Sequence, residues 1–292
     1  MSEPRATSTA QPAAPEPRLV TATPALLARA PEIARHHLAT LPVHRALIRV
    51  VECLLVGSEP LDRPLLDVGC GDGHFAAACL GTTVDAGIDP AVARAAEAAQ
   101  TGAYRQVVAG SATHLPFADA SFASVVSNCV LEHIPALAEA LAEIARVLRP
   151  GGRLVITVPG ERFAESLFWS RALRRAGLPG PASAYGRWFN RISQHYHTYS
   201  RREWLRRLAA AGFDVEKWTS YLRPDAMAFF DLSHYYGAPT LLSKRLAGRW
   251  VLWPAKQRFL PWERWLARRL TGFASQIGVS DGAYYFFSAR KR

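Results

Sequence analysis

The chain has 292 residues, 49% of them hydrophobic, enough for one large domain or for a core carrying an insert. Its formal net charge of +11 invites a nucleic-acid reading, but no RNA- or DNA-binding motif accompanies the charge, so no specific nucleic acid is expected as a partner. The four cysteines (Cys53, Cys70, Cys79 and Cys129) are scattered without a C-x-x-C pair, which argues against a zinc site and a disulfide framework and fits a reducing cytosol.

Met1 to Arg18 is rich in Ala, Pro, Ser and Thr and lacks an apolar h-region. Residues 1–20 therefore read as a disordered tail rather than a secretory signal. No window reaches about 18 uninterrupted apolar residues, so no transmembrane helix and a cytoplasmic protein are expected. Residues 21–60 carry apolar groups at helical spacing (Leu26, Leu27, Ile33, then Val43, Leu47, Val50, Val51, Leu54 and Leu55) and predict two helices broken near Leu41-Pro42. From residue 64 short apolar strands alternate with helices: strands at 64–68, 83–88, 105–109, 122–128 and 153–158, helices at 74–80, 90–99 and 135–148. Such alternation means an α/β fold with a parallel sheet and crossover helices. Gly151-Gly152, after Arg149-Pro150, ends the third of those helices. Ser200-Arg-Arg-Glu203 reads as a capping box opening another helix. Phe213 to Thr219 and Ala283 to Ala289 supply a sixth and a seventh strand. Roughly sixty residues separate them, too many for a structureless connection, so residues 222–281 form a helical insert.

The densest information lies at Leu65-Leu-Asp-Val-Gly-Cys-Gly-Asp-Gly73. A buried strand runs into a turn with Gly69, Gly71 and Gly73, where glycine lets the backbone bend tightly and approach a ligand. Cys70 is a small residue that fits that turn. The next strand delivers Asp89, followed by Pro90, to the same edge, 20 residues after Gly69, as a β-α-β nucleoside site requires. A carboxylate there accepts hydrogen bonds from both hydroxyls of a ribose. The third glycine comes one residue earlier than in the dinucleotide pattern, with His74 in its place, which disfavours an NAD-dependent oxidoreductase.

This string resembles motif I of the class I S-adenosylmethionine (SAM)-dependent methyltransferases. Ala109-Gly-Ser-Ala-Thr-His-Leu-Pro-Phe117, Phe122 to Ile134 and Arg146 to Val158 resemble the later motifs of that family in the right order. The similarity covers roughly residues 60 to 160, more weakly 195–220 and 282–290, and is nearest the ubiquinone and menaquinone methyltransferase-like branch. It implies a Rossmann-like, doubly wound, seven-stranded sheet with a SAM-binding core at 61–221, completed by 282–292. It also implies site residues: Asp67 with Gly69, Gly71 and Gly73 for the methionine end of SAM, Asp89 for the ribose, Ser111 and Ala112 for adenine, and Ser127 and Asn128 beside the reacting methyl. Two positions depart from the family. Ser111 replaces a usual Asp, leaving an acceptor without charge and a weaker bond. Ala123 replaces the Asp of Ser-Phe-Asp at the opening of the fourth strand.

Methyl transfer from a sulfonium is a direct displacement, so alignment dominates and a base is needed only for a protonated acceptor. His195 and His197, in Gln194-His-Tyr-His-Thr-Tyr199, are the candidate bases, because this loop follows the fifth strand and imidazole titrates near neutrality. Packing within the loop is the plainer reading of both rings. Tyr185, Trp188 and Phe189 read equally as acceptor-pocket walls or as core. Cys129 has nothing around it in sequence to lower its pKa and is not taken as a nucleophile. The loops after the fourth and fifth strands give Asn128, Glu132 and Glu161 without the Asp of metal-dependent relatives, so no metal is expected.

The insert is basic and rich in tryptophan. From Pro239 to Phe273 it has Lys244, Arg245, Arg249, Lys256, Arg258, Arg264, Arg268 and Arg269 against Glu263, together with Trp250, Trp253, Trp262 and Trp265. It reads as an amphipathic lid, as a helix resting on an anionic membrane, or as a partner interface. The expected activity is SAM-dependent methylation of a small or lipophilic acceptor at oxygen or carbon. A same-fold enzyme acting on RNA or protein and a non-catalytic SAM-binding module are the alternatives.

Overall fold

The computed structural model describes residues 16–247 and 261–292. In chain order its elements are β1 (Arg18–Leu19), α1 (Pro24–Leu27), α2 (Ala30–Thr40), α3 (Val43–Val56), β2 (Leu65–Val68), α4 (His74–Cys79), β3 (Ala86–Asp89), α5 (Val92–Ala99), β4 (Val107–Ala109), β5 (Phe122–Asn128), a 3-10 turn at Leu131–His133, α6 (Leu137–Val147) and β6 (Leu148–Pro159). There follow α7 (Phe163–Ser166), α8 (Phe168–Arg175), α9 (Pro179–Ile192), α10 (Arg201–Ala210), β7 (Phe213–Tyr221), α11 (Pro224–Ala247), α12 (Pro261–Ala274) and β8 (Tyr284–Lys291).

One sheet runs in the order β1-β7-β8-β6-β5-β2-β3-β4. It is parallel except for β8, which lies antiparallel between β6 and β7. Every residue of β2 and β3 is buried, as expected of central strands covered on both faces. Two apolar cores lie on the two faces of the sheet. One holds α3, α4, α7 and the inner faces of α11 and α12; the other holds α6, Trp204 and Leu208. In α6 the buried residues Leu137, Ala140, Leu141, Ile144 and Val147 recur at helical spacing, which explains its docking. The cap of α10 is half of the expected box: Ser200 Oγ accepts from the Glu203 amide at 3.3 Å, while the Glu203 carboxylate turns to Arg206.

The structure adds to or departs from the sequence reading at three places. The sheet has eight strands, not seven, because Arg18 and Leu19 pair with Lys217 and Trp218. The end of the tail is therefore ordered, and residues 1–15 lie outside the described residues. Secondly, residues 163–192, to which the sequence reading assigns no element, form α7, α8 and α9. Thirdly, two of the scattered cysteines meet: Cys53 on α3 and Cys79 on α4 are joined as a disulfide with Cα atoms 4.9 Å apart. Sequence spacing carries no trace of this pairing because it joins two helices that the fold brings together.

The connection between β7 and β8 contains α11 and α12. In α12, Leu266, Leu270 and Phe273 face the core, and Trp262 and Trp265 each remain 56% exposed. Trp262 and Trp265 are thus parted from Leu266 and Leu270, the first pair at the surface and the second in the core. Trp250, Trp253, Arg249, Lys256 and Arg258 lie outside the described residues. No helix among the described residues is long and apolar enough to cross a membrane.

Candidate active site

Parallel strands end on one edge of the sheet, so Val68, Asp89, Ala109, Asn128 and Pro159 lead into loops on the same side. Tyr284 pairs with Pro159 there, and Tyr221 pairs with Tyr284. The glycine turn is pinned to β3, with the Gly69 and Cys70 amides donating to the Ile88 carbonyl at 2.8 and 3.0 Å. Gly69 and Gly73 both have φ +78°, and a Cβ on either would collide, with Val130 at 2.3 Å and with Ala98 at 2.9 Å. Only glycine satisfies both the angle and the space. Gly71 differs: a Cβ there would touch nothing within 4 Å.

Asp89 is nearly buried and accepts from the Gly71 amide at 3.0 Å and from the Ala91 amide at 2.9 Å. Each carboxylate oxygen keeps a further lone pair. Pro90 is exposed beside it. Asp67 lies deeper than the edge: it accepts from the Tyr104 hydroxyl at 2.7 Å, and burial pushes its carboxyl up to about 6. Cys70 is buried in the turn, and burial pushes its thiol up. On the other flank Ser111 is exposed, and its hydroxyl is engaged by Thr113 at 2.8 Å beside the half-buried Ala112.

At the end of β5 the Ser127 hydroxyl is buried without a partner among the described residues. Asn128 is fixed from both sides. Its Nδ2 donates to Glu52 Oε2 at 2.9 Å, and its Oδ1 accepts from the Thr157 hydroxyl at 2.8 Å. Glu52, on α3, is fully buried and also receives Arg49, the Cys129 thiol at 2.8 Å and the Tyr221 hydroxyl at 3.4 Å. Cys129 has φ +51°, and burial beside Glu52 pushes its thiol well above its ordinary range, so it is no nucleophile. Sequence reading missed Glu52. The available signal was a lone acid inside the apolar run Val50-Val-Glu-Cys-Leu-Leu55.

Next to this network stand Glu132, His133 and His195, whose ligating atoms lie within 4.8 Å of one another. Glu132 is 1% exposed, and burial pushes its carboxyl up to about 8. The His133 ring lies 5.4 Å from His195, and its Nδ1 donates to the Gln194 carbonyl at 3.1 Å. Burial and His133 lower His195 to about 3, so its imidazole is neutral. The two candidate bases, His195 and His197, face different surroundings. His197 is buried with Nε2 donating to the Ile134 carbonyl at 2.9 Å and its ring stacked on Tyr199, whereas the His195 ring packs on Phe163 and His133. Spacing in a loop says nothing about which face a ring takes.

From His195 a series of ring contacts leads outward: Phe163 at 4.8 Å, then Phe189 at 5.9 Å, then Tyr185 at 6.2 Å. Tyr185 lines a cavity of about 550 Å³ with Trp169, Leu173, Leu232 and Tyr235. Its hydroxyl donates to the buried Asp231 at 2.5 Å. Of the expected walls, Phe189 is core, Tyr185 faces the cavity and Trp188 is exposed.

Residues 66–156 match a family described as a methyltransferase domain. An uncharacterized methyltransferase of Mycobacterium avium (strain 104) is 41% identical over 111 residues, covering 35% of this chain and 41% of that protein. The chain thus spans about two fifths of the length of the first curated relatives it matches. A demethylmenaquinone methyltransferase of Mycobacterium sp. (strain KMS) is 34% identical over 181 residues, covering 57% of this chain and 74% of that protein. Among solved structures, a geranyl diphosphate C-methyltransferase from Streptomyces coelicolor A3(2) aligns with a TM-score of 0.53 at 17% identity over 94% of this chain and 90% of that one. A SAM-dependent methyltransferase from Thermotoga maritima aligns with a TM-score of 0.52 at 18% identity, over 91% and 98%. These two likenesses establish the fold.

Proposed function

The chain belongs to the class I SAM-dependent methyltransferases, and from that premise we propose that it methylates a small lipophilic acceptor at oxygen or carbon. S-adenosylmethionine is its cofactor, and the residues present fit that group. The open face of Gly71 admits a ligand against the backbone, Asp89 retains acceptor capacity for ribose hydroxyls, and the orphaned Ser127 hydroxyl stands at the next strand end. The cofactor supplies a methyl already activated on a sulfonium. The protein's task is alignment.

The observation that carries the lipophilic reading is the apolar cavity at Tyr185, which the packed core rings Phe189 and Phe163 back on the side of His195. A cavity lined by Trp169, Leu173, Tyr185, Leu232 and Tyr235 suits a flat or chain-like apolar acceptor. Asn128, clamped by Glu52 and Thr157, orients the acceptor at the strand end. Glu132 with His133 takes the proton of a phenolic or enolic acceptor, since a carboxyl that titrates near neutrality suits a general base. His195 stays neutral and hydrogen-bonds without carrying charge. A relative named for demethylmenaquinone supports an acceptor of this kind. The test is turnover of SAM with a panel of acceptors. Methylation of prenylated or aromatic hydroxy compounds, with little on hydrophilic amines, is expected; preference for amines would overturn it.

The exposed Trp262 and Trp265 beside the exposed Arg264, Arg268 and Arg269 favour a second element of the same reading: α12 rests on an anionic bilayer from which such an acceptor is drawn. Each basic residue near such a surface adds roughly 1 kcal/mol. Sedimentation with anionic liposomes at low salt, with release at high salt, is expected. Absence of binding at low salt would remove this element and leave the lipophilic acceptor standing.

A further inference from the structure

Apart from the active site, three histidines from two helices converge beside the glycine turn. His36 and His37 are on α2; His74 is the first residue of α4, directly after Gly73. His37 Nδ1 lies 3.0 Å from His74 Nε2, the His36 and His74 rings stack at 5.8 Å, and one ligating nitrogen from each of the three falls within 4.8 Å of the others. We propose that His36, His37 and His74 form a binding site for a single divalent transition metal of the zinc class.

The tautomer of His37 favours this assignment. Its Nε2 lies 3.2 Å from Cys53 Sγ. A disulfide sulfur carries no proton, so in that contact the imidazole is the donor, and Nδ1 is left bare toward His74. A metal-binding histidine is held in this way, one nitrogen on the ion and the other donating behind it. His37 is fully buried, so its ring is held in place by the surrounding core. His36 is exposed and His74 half-buried, which gives an ion an entry path and leaves a coordination position for water. Imidazole donors suit zinc, copper and nickel rather than magnesium or calcium. Arg45 and Arg49 lie close enough to act on these rings and oppose a cation, and Asp72, whose Oδ1 accepts from the His74 amide at 3.2 Å, opposes them. The bound ion ties α2 to the first turn of α4 and so braces the glycine turn from outside. The proposal is independent of the identity of the acceptor. It differs from the donor set of Glu132, His133 and His195, which belongs to the active site.

The test is titration of the full chain with Zn2+ by calorimetry and with Co2+ by visible absorption, with circular dichroism to check that each variant is folded. One equivalent bound is expected, with the absorption of a low-coordinate cobalt site. His36→Ala, which removes an exposed ring, and His74→Gln are each expected to weaken binding by more than about tenfold. His114→Ala, an exposed histidine elsewhere, is expected to leave it unchanged. Equal binding by wild type and His36→Ala would overturn the proposal, as would failure of the wild type to bind either ion. A thiolate-to-cobalt charge-transfer band abolished by Cys79→Ser would overturn it too, by moving the ion to His37, Cys53 and Cys79.

Discussion

Glu52 and Asn128, 76 residues apart in the chain, share a buried hydrogen bond of 2.9 Å that ties helix α3 to the end of strand β5. The same carboxylate receives Arg49, Cys129 and Tyr221. The amide at the strand end is therefore oriented by a helix that precedes β2 in sequence. A buried acid with this many donors is sustained by its partners, and its loss leaves them unsatisfied.

Glu52→Ala should destabilise the protein by about 3 kcal/mol or more, because the Arg49 charge loses its buried partner. Glu52→Gln should lose less stability yet still lower turnover, since the amide cannot accept from Asn128, Cys129 and Arg49 at once. Urea unfolding and steady-state kinetics on both variants check this. Wild-type stability in Glu52→Ala would contradict the network.

Asp89→Ala should weaken binding of S-adenosylhomocysteine at least about tenfold, or roughly 1.4 kcal/mol. Ser111→Ala should change it less, because that hydroxyl is already engaged by Thr113. Calorimetric titration of the two variants beside wild type distinguishes them. An order of effects opposite to this one would shift the weight of the site from the ribose end to the adenine end.

Stability should respond to pH in two opposed windows. The Glu132 carboxyl is raised from 4.5 to about 8 in the fold, so the folded protein holds that proton more tightly than the unfolded chain does. This contribution is whole below pH 4.5 and is lost as pH rises to about 8. His195 is lowered from 6.5 to about 3, so its contribution is whole above pH 6.5 and is lost as pH falls toward 3. Glu132→Gln should remove the alkaline decline and leave the acid one. With an acceptor in hand, turnover by the wild type should rise toward pH 8 as Glu132 ionises, and Glu132→Gln should flatten that rise.

Phe163 is fully buried and touches His195, Phe189, Phe230 and Tyr284. Phe163→Ala should cost about 3–5 kcal/mol in stability. Tyr185→Phe keeps the ring but removes the hydroxyl that Asp231 accepts from, so it should perturb a lipophilic acceptor's KM less than Tyr185→Ala does. Thermal unfolding for the first substitution and acceptor titrations for the pair supply the readouts.

The sequence alone determined the glycine turn, Asp89, the alternating strands and helices and hence the edge of the sheet where chemistry occurs. These are local properties: backbone angles that only glycine adopts, and apolar periods set by strand and helix geometry. It also placed Asn128 at a strand end. Only the tertiary structure decided what Asn128 faces, because Glu52 and Thr157 reach it from segments that sequence spacing cannot relate. The same holds for the histidines. His195 and His197 are two residues apart yet turn to different neighbours, whereas His37 and His74 are 37 residues apart and touch. The short strand Arg18–Leu19 and the Cys53–Cys79 pair were equally hidden, since each exists only against a partner supplied by the packed fold. Pairing across the chain follows from which faces the cores bury together, and no single segment carries that information.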